Sequence, residues 1–127
     1  MIFGIGTDIV NVARIEAACN RHGEAFAARI LSKGELAEYA SQAHPARFLS
    51  KRFAAKEAFS KATGHGLRHP VSLKRITVTH DALGKPMFQF DDELAAYLQQ
   101  IGVARHHLSI SDERDSAVAF VILEGED

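Results

Sequence analysis

Residues 52–64 read RFAAKEAFSKATG, and this stretch decides the fold. Small and apolar residues cover more than one stripe of the helix that it predicts, so we expect a long helix in the centre of the molecule. The same stretch contains three cations, Arg52, Lys56 and Lys61, and one acid, Glu57. A single carboxylate among cations on so apolar a helix needs a chemical explanation.

The segments around this helix predict the remaining architecture. Pro45 suits its first turn and Gly64 its end. The apolar run over residues 2–10 predicts a strand in which Gly4 and Gly6 indicate close backbone packing. Further helices are predicted over 11–21, 25–31, 32–40 and 91–100, with N-caps at Asn11, Ser32 (a capping box with Glu35) and Asp91. Further strands are predicted over 74–80, 87–90, 107–111 and 116–124. The order indicates an α+β fold, with a mainly antiparallel sheet packed with the long central helix and shorter helices.

Composition narrows the classes of protein to consider. The 127 residues suit one domain over 1–127, and no apolar run is long enough to span a membrane. The N-terminus lacks the pattern of a signal peptide, and a lone Cys19 favours a reducing compartment, so we expect a cytoplasmic protein. Net charge is −1, but residues 47–75 contain eight Lys or Arg against one acid, which indicates a local site for an anion.

Three features depart from a purely structural pattern. Asp8 interrupts an apolar strand, where a carboxylate is costly unless it is paired or binds a metal. Glu57 and Lys61 share one helix face, either as a simple ion pair or as part of a site. Residues 106–113, HHLSISDE, bring imidazoles, hydroxyls and carboxylates to a strand end.

These features together favour a magnesium site for a phosphorylated substrate. Two hard carboxylates suit Mg²⁺, which substrate phosphates commonly complete. Lys61, Arg52 and Lys56 are candidate cations for those phosphates. Zinc is less favoured because the chain has one cysteine and no HExxH, and no Walker loop or dinucleotide fingerprint is present.

The motifs GIGTDIV, RFAAKEAFSKATG, GKP, HLSIS and AVAFVI occur in this order between Ile2 and Glu124. In this arrangement the sequence resembles the holo-acyl-carrier-protein synthases, the small-type 4'-phosphopantetheinyl transferases. The resemblance implies that family's fold and its reaction in fatty-acid biosynthesis. In that reaction, the phosphopantetheine arm of coenzyme A moves to a serine of apo-acyl carrier protein, and adenosine 3',5'-bisphosphate leaves.

The resemblance also assigns roles to residues. Asp8 and Glu57 would hold Mg²⁺, and Lys61 would contact the pyrophosphate. Either Glu57 or a metal-bound water would take the serine proton. Further roles fall to the ribose 3'-phosphate contacts Arg52 and His107, the nucleotide-pocket residues Gly84, Lys85 and Pro86, and the carrier-docking residues Arg14 and Arg21. It further implies a homotrimer with active sites shared between subunits.

Two positions depart from the family pattern, and other functions stay open. A second histidine often follows HxS[IL][ST], but here Asp112 stands there, and the loop that often reads GTG has His65 in its centre. The alternative function is a non-catalytic coenzyme A or nucleotide-binding module. A nucleic-acid binder is disfavoured because Phe48, Phe53 and Phe59 have the spacing of a helix core rather than of a stacking platform.

Overall fold

The computed structural model describes residues 1–126, which form five helices, one short 3₁₀ turn and five strands. In chain order, these elements are β1 (Ile2–Asn11), α1 (Val12–His22), α2 (Glu24–Ile30), α3 (Lys33–Tyr39), α4 (Pro45–Thr63), the 3₁₀ turn (Leu73–Arg75), β2 (Ile76–His80), β3 (Pro86–Phe90), α5 (Asp92–Ile101), β4 (Val103–Asp112) and β5 (Ser116–Gly125).

The strands form two antiparallel sheets. The larger has the order β1-β5-β4, and the hairpin of β2 and β3 forms the smaller. The prediction of an α+β fold with antiparallel strands is confirmed, although the strands divide between two sheets. The sheets are linked by a hydrogen bond of 3.1 Å, in which the backbone N–H of Phe88 donates to Nε2 of His106. Within residues 1–126, no helix has the length and apolar character needed to cross a membrane.

The predicted caps form, and two boundaries differ from those expected by more than one residue. Asn11 and Asp91 cap α1 and α5 by accepting from backbone N–H groups, and Glu35 closes the capping box of α3. The strand predicted from Lys74 begins only at Ile76, because residues 73–75 close a 3₁₀ turn through the Arg75 N–H and the carbonyl of Ser72. Strand β4 begins four residues earlier than predicted, since its partner β5 continues far enough to pair with it.

Helix α4 lies in the core and touches the backbone of β1. Its residues Ala54, Ala58 and Phe59 are fully buried. A Cβ added at Gly6 would lie 1.9 Å from the carbonyl oxygen of Ala58, and one at Gly4 would lie 2.0 Å from that of Ala62. The predicted close packing at both glycines is therefore confirmed, because any side chain there would overlap the helix backbone.

The face of the larger sheet that points away from α4 is apolar and exposed. Ile5 and Ile9 of β1 are 58% and 69% exposed, and Phe120 of β5 is 44% exposed. Side chains alternate along each strand, so these residues share one face while Ala119 and Val121 on the other face are buried against the core. We refer to Ile5, Ile9, Val118 and Phe120 as the open sheet face.

Candidate active site

Asp8, Glu57 and Lys61 come together where β1 crosses α4. The alternation along β1 puts Asp8 on the same face as Gly4 and Gly6, toward the helix. Lys61 Nζ donates to Asp8 Oδ1 at 3.0 Å and to the carbonyl of Thr7 at 3.0 Å. Lys61 could have paired with Glu57 along the helix, but instead it pairs with Asp8 and links α4 to β1.

The two carboxylates of this cluster influence each other. Burial raises the pKa of Glu57, the negative charge of Asp8 raises it further, and the Lys61 cation lowers it in part. Asp8 and Glu57 also line one cavity of about 480 Å³. Two acids that repel each other beside one cation form a locally anionic corner, which attracts a cation.

The donor set of this corner suits a hard divalent ion with a substrate. Two carboxylates leave several coordination positions for water and phosphate oxygens, as Mg²⁺ prefers. Across residues 1–126, no group of three or more His, Cys, Asp or Glu side chains is arranged to hold a metal. A closed structural site needs more protein ligands than two, so Asp8 and Glu57 could hold a metal ion only where water or substrate oxygens complete its coordination.

A second cavity, of about 340 Å³, lies beside the turn between β2 and β3. Gly84 and Pro86 of the GKP turn line it together with Arg52, and we call it the Arg52 cavity. The carboxylate of Asp81 shapes this turn by accepting from the backbone N–H groups of Leu83 and Lys85, both at 2.9 Å. These bonds lower the pKa of Asp81, so the turn is held by an ionised side chain.

Arg52 and Lys56 differ in what they can offer a phosphate. Lys56 is fully buried and bonded to Glu35, so its prediction as a phosphate cation is wrong. Arg52 lines the second cavity, but its guanidinium already donates to Glu35 at 3.0 Å and to Glu38 at 2.9 Å. Its contact with a 3'-phosphate stays a prediction.

His107 lies on the opposite face of β4 from the buried residues of that strand. Leu108 is buried against the core, whereas His107 is half-exposed with Nε2 2.6 Å from Glu124 Oε1. The structure therefore does not bring His107 to the Arg52 cavity within this chain, and its phosphate contact stays a prediction.

The two departures from the family pattern have partners. Asp112 lines the Arg52 cavity, and its carboxylate lies 4.0 Å from Arg47 Nη1, which offsets its charge. The ring of His65 lies 3.2 Å from the Tyr97 hydroxyl and 3.1 Å from the His69 carbonyl. His65 thus ties the loop after α4 to α5.

Sequence reasoning missed three residues near the site. Glu35 was predicted only as a capping-box acid, and Asp81 had no predicted role. His80 also lines the second cavity, where burial and then the Arg52 cation lower its pKa. The Asp81 turn could have been found, since an Asp three residues before a glycine often accepts from the turn backbone. No sequence signal gave Glu35 or His80 a role near the site.

Several known proteins resemble this chain in sequence and fold. Residues 4–121 match the model of the 4'-phosphopantetheinyl transferase superfamily. The holo-[acyl-carrier-protein] synthase of Nitrosospira multiformis is 59% identical over 124 residues, which cover 98% of this chain and 99% of that protein. The crystal structure of holo-[acyl-carrier-protein] synthase from Neisseria meningitidis has a TM-score of 0.95 at 50% identity and covers 98% of this chain and 99% of its own. The Bacillus anthracis structure, in complex with CoA (3',5'-ADP), has a TM-score of 0.82 at 38% identity and covers 99% of both chains.

Proposed function

This chain belongs to the 4'-phosphopantetheinyl transferase superfamily, and we propose that Asp8, Glu57 and Lys61 carry out its reaction. The enzyme transfers the 4'-phosphopantetheine arm of coenzyme A to a serine of apo-acyl carrier protein. The products are holo-acyl carrier protein and adenosine 3',5'-bisphosphate. The observation that carries the assignment of residues is the paired Asp8 and Glu57 with Lys61 at their side. We assign the reaction to fatty-acid biosynthesis in the cytoplasm.

Asp8 and Glu57 would hold Mg²⁺. The cavity that both residues line supports this role, as does the pKa of Glu57, which burial raises and the charge of Asp8 raises further. Bound there, Mg²⁺ supplies charge neutralisation for the diphosphate of coenzyme A. Lys61 adds a positive charge on the same side, and it is exposed enough to turn from Asp8 toward a phosphate oxygen.

The serine of the carrier must lose a proton as it attacks the β-phosphate. We assign its uptake to Glu57 or to a water held beside Asp8 and Glu57, because a Glu57 oxygen that binds Mg²⁺ is a weaker base than a free carboxylate. Glu57 lies near Asp8 and Lys61, which keeps it close to the phosphates that the site would bind.

The Arg52 cavity would take the nucleotide. Gly84, Lys85 and Pro86 form its turn, which the ionised Asp81 keeps rigid. Arg52 would supply positive charge to the 3'-phosphate. His107 lies on the far side of the sheet, so the His107 that approaches this phosphate would come from a neighbouring subunit.

The open sheet face supports a homotrimer with shared active sites. Its exposed apolar residues lie on adjacent strands, and large exposed apolar patches commonly mark protein interfaces. Asp8 and Ile9 are neighbours in β1, so an interface on this face would bring a second subunit close to Asp8 and Glu57. A wider cleft for coenzyme A follows from that arrangement.

Arg14 and Arg21 would dock the carrier. Both are exposed and lie seven residues apart on α1, so they share a helix face. Arg14 also lines the cavity that contains Asp8 and Glu57. Positive charge on this face of α1 suits an acidic carrier whose serine must reach Asp8 and Glu57.

Intact-mass analysis of apo-acyl carrier protein tests the assignment. The carrier is incubated with coenzyme A, Mg²⁺ and the wild-type chain, or with Asp8→Ala or Glu57→Ala. Asp92→Ala, an exposed carboxylate on α5, serves as the matched control. We expect a phosphopantetheine mass increase with the wild type and Asp92→Ala, and loss of it with EDTA or either site variant. Coenzyme A binding without any mass change, across several apo carriers, would favour the non-catalytic module instead.

A further inference from the structure

Lys56 precedes Glu57 on α4 and anchors the side of the helix that packs against α2, α3 and the 3₁₀ turn. Its ammonium is fully buried and donates three hydrogen bonds: to Glu35 Oε1 at 2.5 Å, to the Ile30 carbonyl at 2.8 Å and to the Leu73 carbonyl at 2.9 Å. An ammonium has three donors, and all three are used. These bonds tie α4 to α2, α3 and the 3₁₀ turn.

Glu35 is the centre of this anchor. It is fully buried and accepts from the backbone N–H groups of Ser32 and Val78, both at 2.9 Å, as well as from Arg52 and Lys56. Burial by itself raises the pKa of Glu35, but the Lys56 charge and the hydrogen bonds lower it below its ordinary value. The carboxylate is therefore ionised and saturated with donors.

The contacts at Gly4 and Gly6 hold a different side of α4. With 3.6 residues per turn, successive residues are about 100° apart around a helix. The residues that touch the glycines, Ala58 and Ala62, lie about 100–140° from Glu57 in one sense, and Lys56 lies about 100° from it in the other. Glu57 thus projects between two anchored sides of the helix.

We propose that the buried Glu35–Lys56 ion pair is a positioning device for the Glu57 carboxylate. Together with the glycine contacts, the pair sets the rotation of α4 about its axis, so that Glu57 faces Asp8. This inference rests on the proposed role of Asp8 and Glu57 as metal ligands. Lys56 and Glu35 are fully buried, so they act through the helix and not on the substrate.

Stability alone is a weak reason for these charges. Replacing a buried ion pair with well-packed apolar residues is often neutral or stabilising for the fold. Geometry is a stronger reason, because five hydrogen bonds of Glu35 and Lys56 link α4 to α2, α3 and the 3₁₀ turn, and α3 to β2, which leaves α4 little freedom to turn. Carboxylate ligands held within a fraction of an ångström are what an open metal site needs.

The test compares a charge-balanced variant with a variant that only lowers stability. Glu35→Gln/Lys56→Met removes both charges, keeps an acceptor oxygen at 35 and keeps the apolar stem at 56. Leu98→Ala creates a cavity on α5, whose partners are β3 and β4. Binding of Mn²⁺ is measured by electron paramagnetic resonance in the presence of coenzyme A and without carrier, so that no turnover occurs. Steady-state kcat and KM for coenzyme A are measured separately.

We expect the Mn²⁺ dissociation constant of the double variant to rise about ten- to a hundredfold, as for outer partners of metal ligands. Its kcat should fall, while Leu98→Ala keeps the wild-type Mn²⁺ affinity; a change in KM for coenzyme A is also expected, because Glu35 holds Arg52 as well. Should the double variant not fold, Glu35→Asp, which keeps both charges but shortens the anchor, decides by the same readouts.

A folded double or Glu35→Asp variant with wild-type Mn²⁺ affinity overturns the proposal, as does an equal loss of affinity in Leu98→Ala. Failure of the proposed function is a separate result: the wild-type chain itself would bind no Mn²⁺ with coenzyme A and would not modify the carrier.

Discussion

Replacing Gly6 with alanine tests whether the contact between β1 and α4 holds the site together. The new Cβ would lie 1.9 Å from the Ala58 carbonyl oxygen and 2.7 Å from the Ala62 backbone nitrogen. Both obstacles are helix backbone, which cannot rotate away as a flexible side chain would. The strand and the helix must therefore separate.

The size of the effect follows from that geometry. Overpacking a core by one methyl group commonly costs about 1–3 kcal/mol, and a clash with backbone belongs at the upper end of that range. The entropy of unfolding is about 2.1 cal/mol/K per residue, or about 0.27 kcal/mol/K for 127 residues. A loss of about 3 kcal/mol therefore lowers Tm by about 11 °C. Because Asp8 follows Gly6 by two residues, the same movement draws it from Glu57, and transferase activity should fall as well.

Circular dichroism melting at one fixed protein concentration measures the change in Tm, and the carrier mass assay measures activity. Gly34→Ala is the matched control, because Gly34 is exposed on α3 and an added Cβ there meets nothing within 4 Å. That change should leave Tm equal or slightly higher, since alanine lowers the entropy of the unfolded chain. If Gly6→Ala melted within about 2 °C of the wild type, the reasoning about backbone contact would be refuted.

Three further predictions follow from the site, the hairpin link and the open sheet face. Burial, and then the neighbouring His107, lower the pKa of His106 below its ordinary 6.5. The unfolded chain therefore binds more protons than the folded one, and the free energy of unfolding falls as pH drops below 6.5. Urea titrations at pH 7.5 and 5 should show this loss, and it should be smaller in His106→Gln, whose amide oxygen can still accept from the Phe88 N–H. If the open sheet face holds the proposed homotrimer together, light scattering should give the mass of a trimer for the wild type and a mass near the monomer for Phe120→Asp. A wild-type monomer would contradict the trimer, and an unchanged mass for Phe120→Asp would contradict this face as its interface. Lys61→Ala should reduce kcat/KM about 10²–10³-fold, as for loss of one donor to a charged transition state, whereas a reduction below about fivefold would remove Lys61 from the phosphate contacts.

The sequence by itself determined the elements and much of the chemistry. The apolar stripes of residues 52–64 predicted the central helix, and Gly4 and Gly6 predicted a close approach of strand and helix, because both signals depend on local spacing and on the absence of a side chain. It also singled out Asp8 as a carboxylate that an apolar strand would not otherwise tolerate. That Asp8, Glu57 and Lys61 meet agrees with the prediction, although no single repeat or spacing specified the distance between them.

Only the tertiary structure decided what each cation of α4 binds. Arg52, Lys56 and Lys61 look alike in the sequence, yet Lys56 is buried against Glu35, 21 residues earlier, while Lys61 reaches Asp8, 53 residues earlier. Likewise, the alternation of side chains along β4 and its register with β5 place His107 on the open side of the sheet. A helix pattern shows which residues share a face, but the partner of a charge depends on which distant segment packs there. That choice is made by the packing of the whole chain and has no local signature in the sequence.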